Sequence, residues 1–228
     1  MFENPNQLIC EAPLKHPISK SIFPMAVLGI SALLSISTAT LADCLPKPET
    51  QCQGIELDRI DWRNKKLERS NFSHGVFQHA NFAGSNLKGA NFSGADLQFA
   101  RFEGADLTGA IFDGADLRWA NLERTNATQA RFVKTQMSKA DLEDSDLSKA
   151  IFTGADMTRT DLVNVDLQSA DLAQVVLEGA YMNYANLKQA NLTGASINRT
   201  RLIGARLNDA IWINGKVCKS PSIGKCNQ

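Results

Sequence analysis

The chain has 228 residues, long enough for one or two domains with a sizeable core. Lys and Arg together number 24, as do Asp and Glu, so the formal net charge at pH 7 is zero. That balance excludes the large single-sign field that would attract nucleic acid or imitate it.

The first 42 residues differ in kind from the rest. Lys15, His16 and Lys20 precede an apolar run from Ile22 to Ile36, followed by "STATLA" and Asp43. A basic stretch, about fifteen apolar residues and a small-residue cleavage site after Ala42 make the pattern of an export signal. The run is shorter than the ~20 residues of a membrane span. Residues 1–42 are therefore expected to be a cleaved signal peptide, with no other membrane contact, and an uncleaved anchor is the competing reading. "LADC" has the look of a lipoprotein signal, but Asp43 stands where that motif requires Gly, Ala or Ser, so lipidation of Cys44 is not expected. The expected location is exported: periplasmic, lumenal or secreted.

Removal of the signal takes Cys10 with it and leaves Cys44, Cys52, Cys218 and Cys226, two pairs whose members are eight residues apart. Four cysteines allow three connectivities. An even count in an exported chain favours disulfides over a metal site.

Between the cysteine pairs the pattern has a period of five. "GANFSGADLQFARFEGADLTGAIFDGADL", residues 89–117, carries Phe92, Leu97, Phe102, Leu107, Phe112 and Leu117. In an α-helix a five-residue step rotates the side chain by about 140° and scatters it around the cylinder. In a strand an odd step alternates faces. The chain must therefore turn once per quintet. From Leu57 to Trp212 all thirty-two fifth positions are apolar, including seventeen Leu and eight of the eleven Phe. Two residues earlier lies a small residue: nineteen of twenty-nine such positions from Ser70 to Ala210 are Ala, and eight are Ser, Thr or Gly. A separation of two is the strand period, so the small and large residues point inward together. The other three positions carry Asp, Asn, Gly, Ser and Thr, which suit corners. Short β-like sides joined by corners wind into a solenoid.

"ADLTG", "ANFSG", "ADLQF" and "ANLKQ" resemble the pentapeptide-repeat family, whose motif is A(D/N)LxX, over residues 55–214. The resemblance implies an all-β fold, a right-handed quadrilateral parallel β-helix of about eight coils with four quintets per coil. At about 4.8 Å per coil the rod is roughly 38 Å long. Residues twenty apart should then stack. One inward column reads Phe72, Phe92, Phe112, Phe132, Phe152, Leu172, Leu192, Trp212, and another is Leu throughout from Leu67 to Leu207 except at Ala127, where a void is expected.

Solenoid ends need caps. Residues 43–54 and 215–228 flank the repeats as an N-terminal and a C-terminal cap, each with one cysteine pair. A rod holds those ends too far apart for cross-pairing, so Cys44–Cys52 and Cys218–Cys226 are the expected bridges. The first coil is irregular, with Lys65 at an inward small site; a degenerate coil is preferred to a capping helix because Leu57, Trp62 and Leu67 keep the register.

Little in the sequence suggests catalysis, and no catalytic residue, cofactor or metal site is expected. His74 and His79 occupy consecutive corners and cannot share a metal. The many Asp residues precede inward Leu and read as turn acceptors. No phosphate-binding glycine loop, nucleophile elbow or zinc spacing is present. The N-x-S/T triplets, such as Asn71 and Asn126, follow automatically from the repeat alphabet. A binding surface is better supported. Phe99 and Trp119 lie off the apolar register at outward corners, in a column that reads His79, Phe99, Trp119, Lys139, Arg159, Gly179, Arg199, with Arg101 and Arg118 beside it. Aromatics ending in cations suit recognition of a protein or a polysaccharide. Tyr181 and Tyr184 form a smaller candidate patch. The expected function is a non-enzymatic exported scaffold that binds an unidentified protein, with oligomeric state left open. The family resemblance also implies an alternative, topoisomerase protection by DNA mimicry, as in its quinolone-resistance members. That needs a strongly acidic surface, whereas residues 55–215 carry eighteen Lys and Arg against twenty Asp and Glu. A glycan-active enzyme is the third reading, and it lacks a carboxylate cluster.

Overall fold

The computed structural model describes residues 44–228; the expected signal peptide, residues 1–42, and Asp43 lie outside the described residues. From Gln51 onward the chain repeats one five-residue unit. Backbone bridges join residues twenty apart in parallel, from Gln51 with Asn71 through to Asn191 with Ile211. Four quintets therefore close one square coil, and the fold is a right-handed quadrilateral parallel β-helix. Each side is only a few residues long. Asn71 N donates to Thr50 O of the preceding coil (2.9 Å) and Phe72 N to Asn91 O of the next (2.7 Å), and the same pair of bonds recurs along the rod.

Every corner is a four-residue turn. Gly75 N donates to Phe72 O (3.2 Å), and the third residue of that turn, His74, has φ +57°. Positive φ at this position is the type II geometry. It recurs at each corner from Glu49 to Asp209, on Arg, Lys, Gln, His, Phe and Trp as well as Gly. No Val, Ile or Thr stands at any of these corners, because a branched Cβ is worst tolerated there. The Asp and Asn residues stabilise the same turns: Asp106 Oδ1 accepts from Thr108 N (3.2 Å) and Thr108 Oγ1 (2.6 Å), and Asn71 Oδ1 accepts likewise from Ser73. They serve as turn acceptors.

The core is a stack of side chains inside the square. Phe92, Phe112, Phe132 and Phe152 are fully buried, with successive ring centroids 4.8–5.0 Å apart and planes within 4° of parallel. That distance is the coil spacing itself. Neighbouring columns meet edge to face, as for Phe92 and Phe102 at 5.8 Å and 88°. Where the small inward residue is Ser or Thr, its hydroxyl donates to a backbone carbonyl, of the preceding coil for Ser85 to Trp62 O (2.6 Å) and Thr135 to Phe112 O (2.8 Å), and of its own turn for Thr125 to Leu122 O (2.9 Å). These buried hydroxyls are thereby paired.

The ends differ from the sequence-based boundaries. Repeat geometry starts inside the segment 43–54: Cys52 is fully buried in the inward register, Thr50 occupies the small site, and Glu49 N already donates to Glu68 O (2.8 Å). Cys44 packs beside it and forms a disulfide with Cys52, so the bridge closes the first coil. Lys65 is exposed in a coil that otherwise keeps its register. At the other end the chain reverses and pairs antiparallel with the last coil, Val217 with Ile211 and Ile223 with Arg206. Cys218, fully buried, is bonded to Cys226 and covers the open edge.

Removing a stacked side chain leaves a hole that rigid neighbours cannot fill. Leu107→Ala is expected to lower stability by about 2–5 kcal/mol in denaturant melts, whereas Ala127→Leu, which completes its column, raises the midpoint. Reduction of both disulfides should lower the melting temperature while leaving the far-ultraviolet dichroism of the repeats in place, each loop contributing about 2–3 kcal/mol.

Candidate functional site

The inside of the rod is filled, so recognition falls to the outside, and the corner column from His79 to Arg199 is its most distinctive feature. The His79 and Phe99 rings stack at 4.9 Å and 8°, and Phe99 and Trp119 at 6.2 Å and 11°. Lys139 Nζ lies 3.9 Å from the Trp119 ring centroid, on a cation–π contact. Phe99 is 43% and Trp119 49% exposed. Because the rings cover one another's faces, the stack offers solvent its edges.

These residues hold positive φ, +59° for Phe99 and +64° for Trp119. An L-residue there costs about 1–2 kcal/mol in backbone strain. The rings also stretch the ladder: Phe99 N to Arg118 O is 3.2 Å and Trp119 N to Ser138 O is 3.3 Å, against 2.9–3.0 Å at the glycine corners Gly104, Gly109 and Gly114. Neither residue is the backbone's own preference.

Beyond Lys139 the column continues as Arg159, Gly179 and Arg199. Around Gly179 lies an open depression of about 740 Å³, walled by Asp156, Glu178 and Asn198 as well as the cations. Arg159 and Arg199 make no side-chain hydrogen bond or ion pair among the described residues. Arg101 and Arg118 behave otherwise. Arg118 grips Asp116 at 2.6 and 2.9 Å, a bond that raises its already high pKa, and Arg101 pairs with Glu103 at 2.8 Å. They flank the column without adding free charge to it.

The sequence did not point to the walls of the depression. Asp156, Glu178 and Asn198 come from three different coils, and only the twenty-residue register assembles them. The aromatic pair Tyr181 and Tyr184 is placed separately: Arg201 caps the Tyr181 ring at 4.8 Å, and the Tyr184 ring lies across Gly204.

Other chemistry-bearing groups are dispersed. His74 packs across Gly94 on another corner, away from His79. Among the described residues no three His, Cys, Asp or Glu side chains converge as metal ligands. Carboxylates gather on the side adjoining the column, where burial, then Asp161, Asp144, Asp141 and Glu123, push the Glu143 carboxyl up. Arg124 pairs with Glu123 and interrupts that acidic strip.

The family profile described as pentapeptide repeats matches the chain in eight copies, over residues 50–89, 70–109, 110–148, 140–179 and 170–209. Full-length QnrB1, a plasmid-mediated fluoroquinolone resistance protein, is similar in structure, with a TM-score of 0.59 and 20% identity over 80% of this chain and 90% of its own. HetL, a pentapeptide repeat protein involved in heterocyst differentiation regulation from the cyanobacterium Nostoc sp. strain PCC 7120, aligns with 26% identity and a TM-score of 0.45 over 75% and 92%. No curated protein matches the sequence.

If the exposed ladder is not a structural element, the fold should survive without it. Phe99→Gly with Trp119→Gly trades the stacking, about 0.5–1.5 kcal/mol per pair, for relief of backbone strain. Stability in urea is expected to change by less than about 1.5 kcal/mol; a loss above about 3 kcal/mol would make the ladder part of the fold's support.

Proposed function

Because the chain belongs to the pentapeptide-repeat family, we propose that it is a non-enzymatic exported scaffold, a rigid rod whose corner column captures a protein partner. The observation that carries this reading is the Phe99–Trp119–Lys139 stack, kept half exposed at corners where the backbone would rather have glycine. Trp and Arg are the residue types that dominate binding energy at protein interfaces. Rigid, pre-stacked side chains also lose little conformational freedom on binding.

A protein suits the surface better than a polysaccharide. Sugars pack on free aromatic faces, but His79 and Trp119 cover both faces of Phe99, and Lys139 covers the far face of Trp119. The edges left over suit a partner's apolar side chains. The near-balanced surface charge of the rod gives no support to imitation of a nucleic-acid duplex. Export is supported by the pattern of residues 1–42 and by a disulfide at each end of the repeats, which suits an oxidising compartment.

The test is crosslinking capture from the exported fraction of the native host, with the wild-type protein and a Phe99→Ala/Trp119→Ala variant as baits. The wild type should retain a protein that the variant loses at least tenfold, and bait isolated from the host should have the mass of residues 43–228. Equal capture by the two baits would contradict the reading of the column, and a full-length soluble cytoplasmic chain would contradict export.

A further inference from the structure

From His79 to Arg199 the corner column is missing a side chain at one place, Gly179. At three other corners the residue one coil below roofs the glycine, Asn64 over Gly84, the His74 ring across Gly94 and the Tyr184 ring across Gly204, whereas Gly104, Gly109 and Gly114 are open. At Gly179 a Cβ would meet only the Cγ of Arg159, at 3.5 Å. The slot is open, and the depression of about 740 Å³ lies over it. Arg159 stands one coil before the gap and Arg199 one coil after it, and both guanidinium groups are unpaired among the described residues.

We propose that this slot receives a tyrosine side chain from the protein partner, its ring sandwiched between Arg159 and Arg199 and its hydroxyl donated to a carboxylate of the slot wall. The inference deepens the reading of the column as a recognition surface and rests on it. Coils repeat at about 4.8 Å, so a ring in the missing place lies about 5 Å from each guanidinium, inside the ~6 Å range of cation–π attraction. It would continue the stacking that His79, Phe99, Trp119 and Lys139 already make along the same corner.

The wall decides what kind of group fits. Asp156 Oδ1 accepts from Thr158 N (3.0 Å) and Thr158 Oγ1 (2.6 Å), and Glu178 Oε1 accepts from Ser196 Oγ (3.2 Å). Asp156 Oδ2 and Glu178 Oε2 have no protein partner among the described residues. A carboxylate or phosphate entering between the arginines would face those two anions. An aliphatic side chain would cover the guanidinium groups and give them nothing in return. A sugar could satisfy the carboxylates but offers the arginines no π face. A phenol meets both requirements: a face for the cations and one strong donor for a carboxylate oxygen.

The test is a titration of the disulfide-intact, isotope-labelled protein with N-acetyl-tyrosinamide, followed at the Arg Nε–Hε resonances. Saturable shifts are expected at Arg159 and Arg199, with about tenfold weaker binding of N-acetyl-phenylalaninamide, which lacks the donor. Gly179→Arg fills the slot with the residue that already holds this backbone at Arg159, so it should remain folded, with the modestly lowered melting temperature of an L-residue at positive φ, and lose the shifts. Absence of shifts up to the solubility limit, equal shifts with N-acetyl-leucinamide, tighter binding of N-acetyl-aspartate or methyl glucoside, or unchanged binding by Gly179→Arg would each overturn the proposal. Trp119 lies three coils away, so Trp119→Ala should leave the titration unchanged. Loss of partner capture in that variant alongside a failed titration would sink the slot and spare the column; a successful titration with capture indifferent to Trp119 would do the reverse.

Discussion

Backbone hydrogen bonding between coils is the constraint on which the rest of this molecule depends. Each inward residue donates forward by nineteen positions and the residue before it donates back by twenty-one, as Phe72 and Asn71 do. That pairing holds the coil at twenty residues and the rise near 4.8 Å, so any two residues twenty apart must share a column. Side chains of one shape then stack better than mixtures, which is why Phe follows Phe from Phe72 to Phe152 and Leu follows Leu, except at Ala127, in the column beside it. Four large side chains fill the square, and the second inward position takes chiefly Ala or a hydroxyl that pairs with a carbonyl, with Val165 and Val175 the largest side chains buried there.

The same constraint creates a problem at each end, where a coil has nothing to pair with. An unpaired coil is an open sheet edge, which invites association with another chain. The C-terminal segment removes the edge by reversing onto the last coil, and Cys218–Cys226 pins it there; Cys44–Cys52 ties down the first coil. Stability in such a rod is a sum over neighbouring coils, so fraying from the ends is its weak mode and the ends are where covalent bonds do the most.

Burial explains what the sequence made legible and what it did not. The period of five, the inward pairing of Ala with Leu or Phe and the sorting of Phe into one column all follow from a core that accepts few side chains, and they can be read directly. Thr50 and Cys52 also sit inward but lack that apolar signature, so the true start of the first coil was hidden. The C-terminal reversal leaves no periodic trace. On the outside no packing rule operates. Column membership placed His79, Phe99, Trp119 and Lys139 together, but whether an arginine is free or tied depends on its local rotamer: Arg159 is free, whereas Arg118 is held by Asp116 two residues away. The depression at Gly179 was the least legible feature, because it consists of a missing side chain and of walls drawn from separate coils.

Core and surface are therefore separable in this architecture. The corner tolerates almost any unbranched side chain, from glycine to tryptophan, without disturbing the stack beneath it. Surface chemistry can thus be varied along a straight rod whose spacing is held by the backbone. The most direct test of the account is a crystal structure of residues 43–228. It should show Phe92 and Phe112 inside the square, near parallel and about 5.0 Å apart; rings turned to solvent, or lying in different columns, would contradict it.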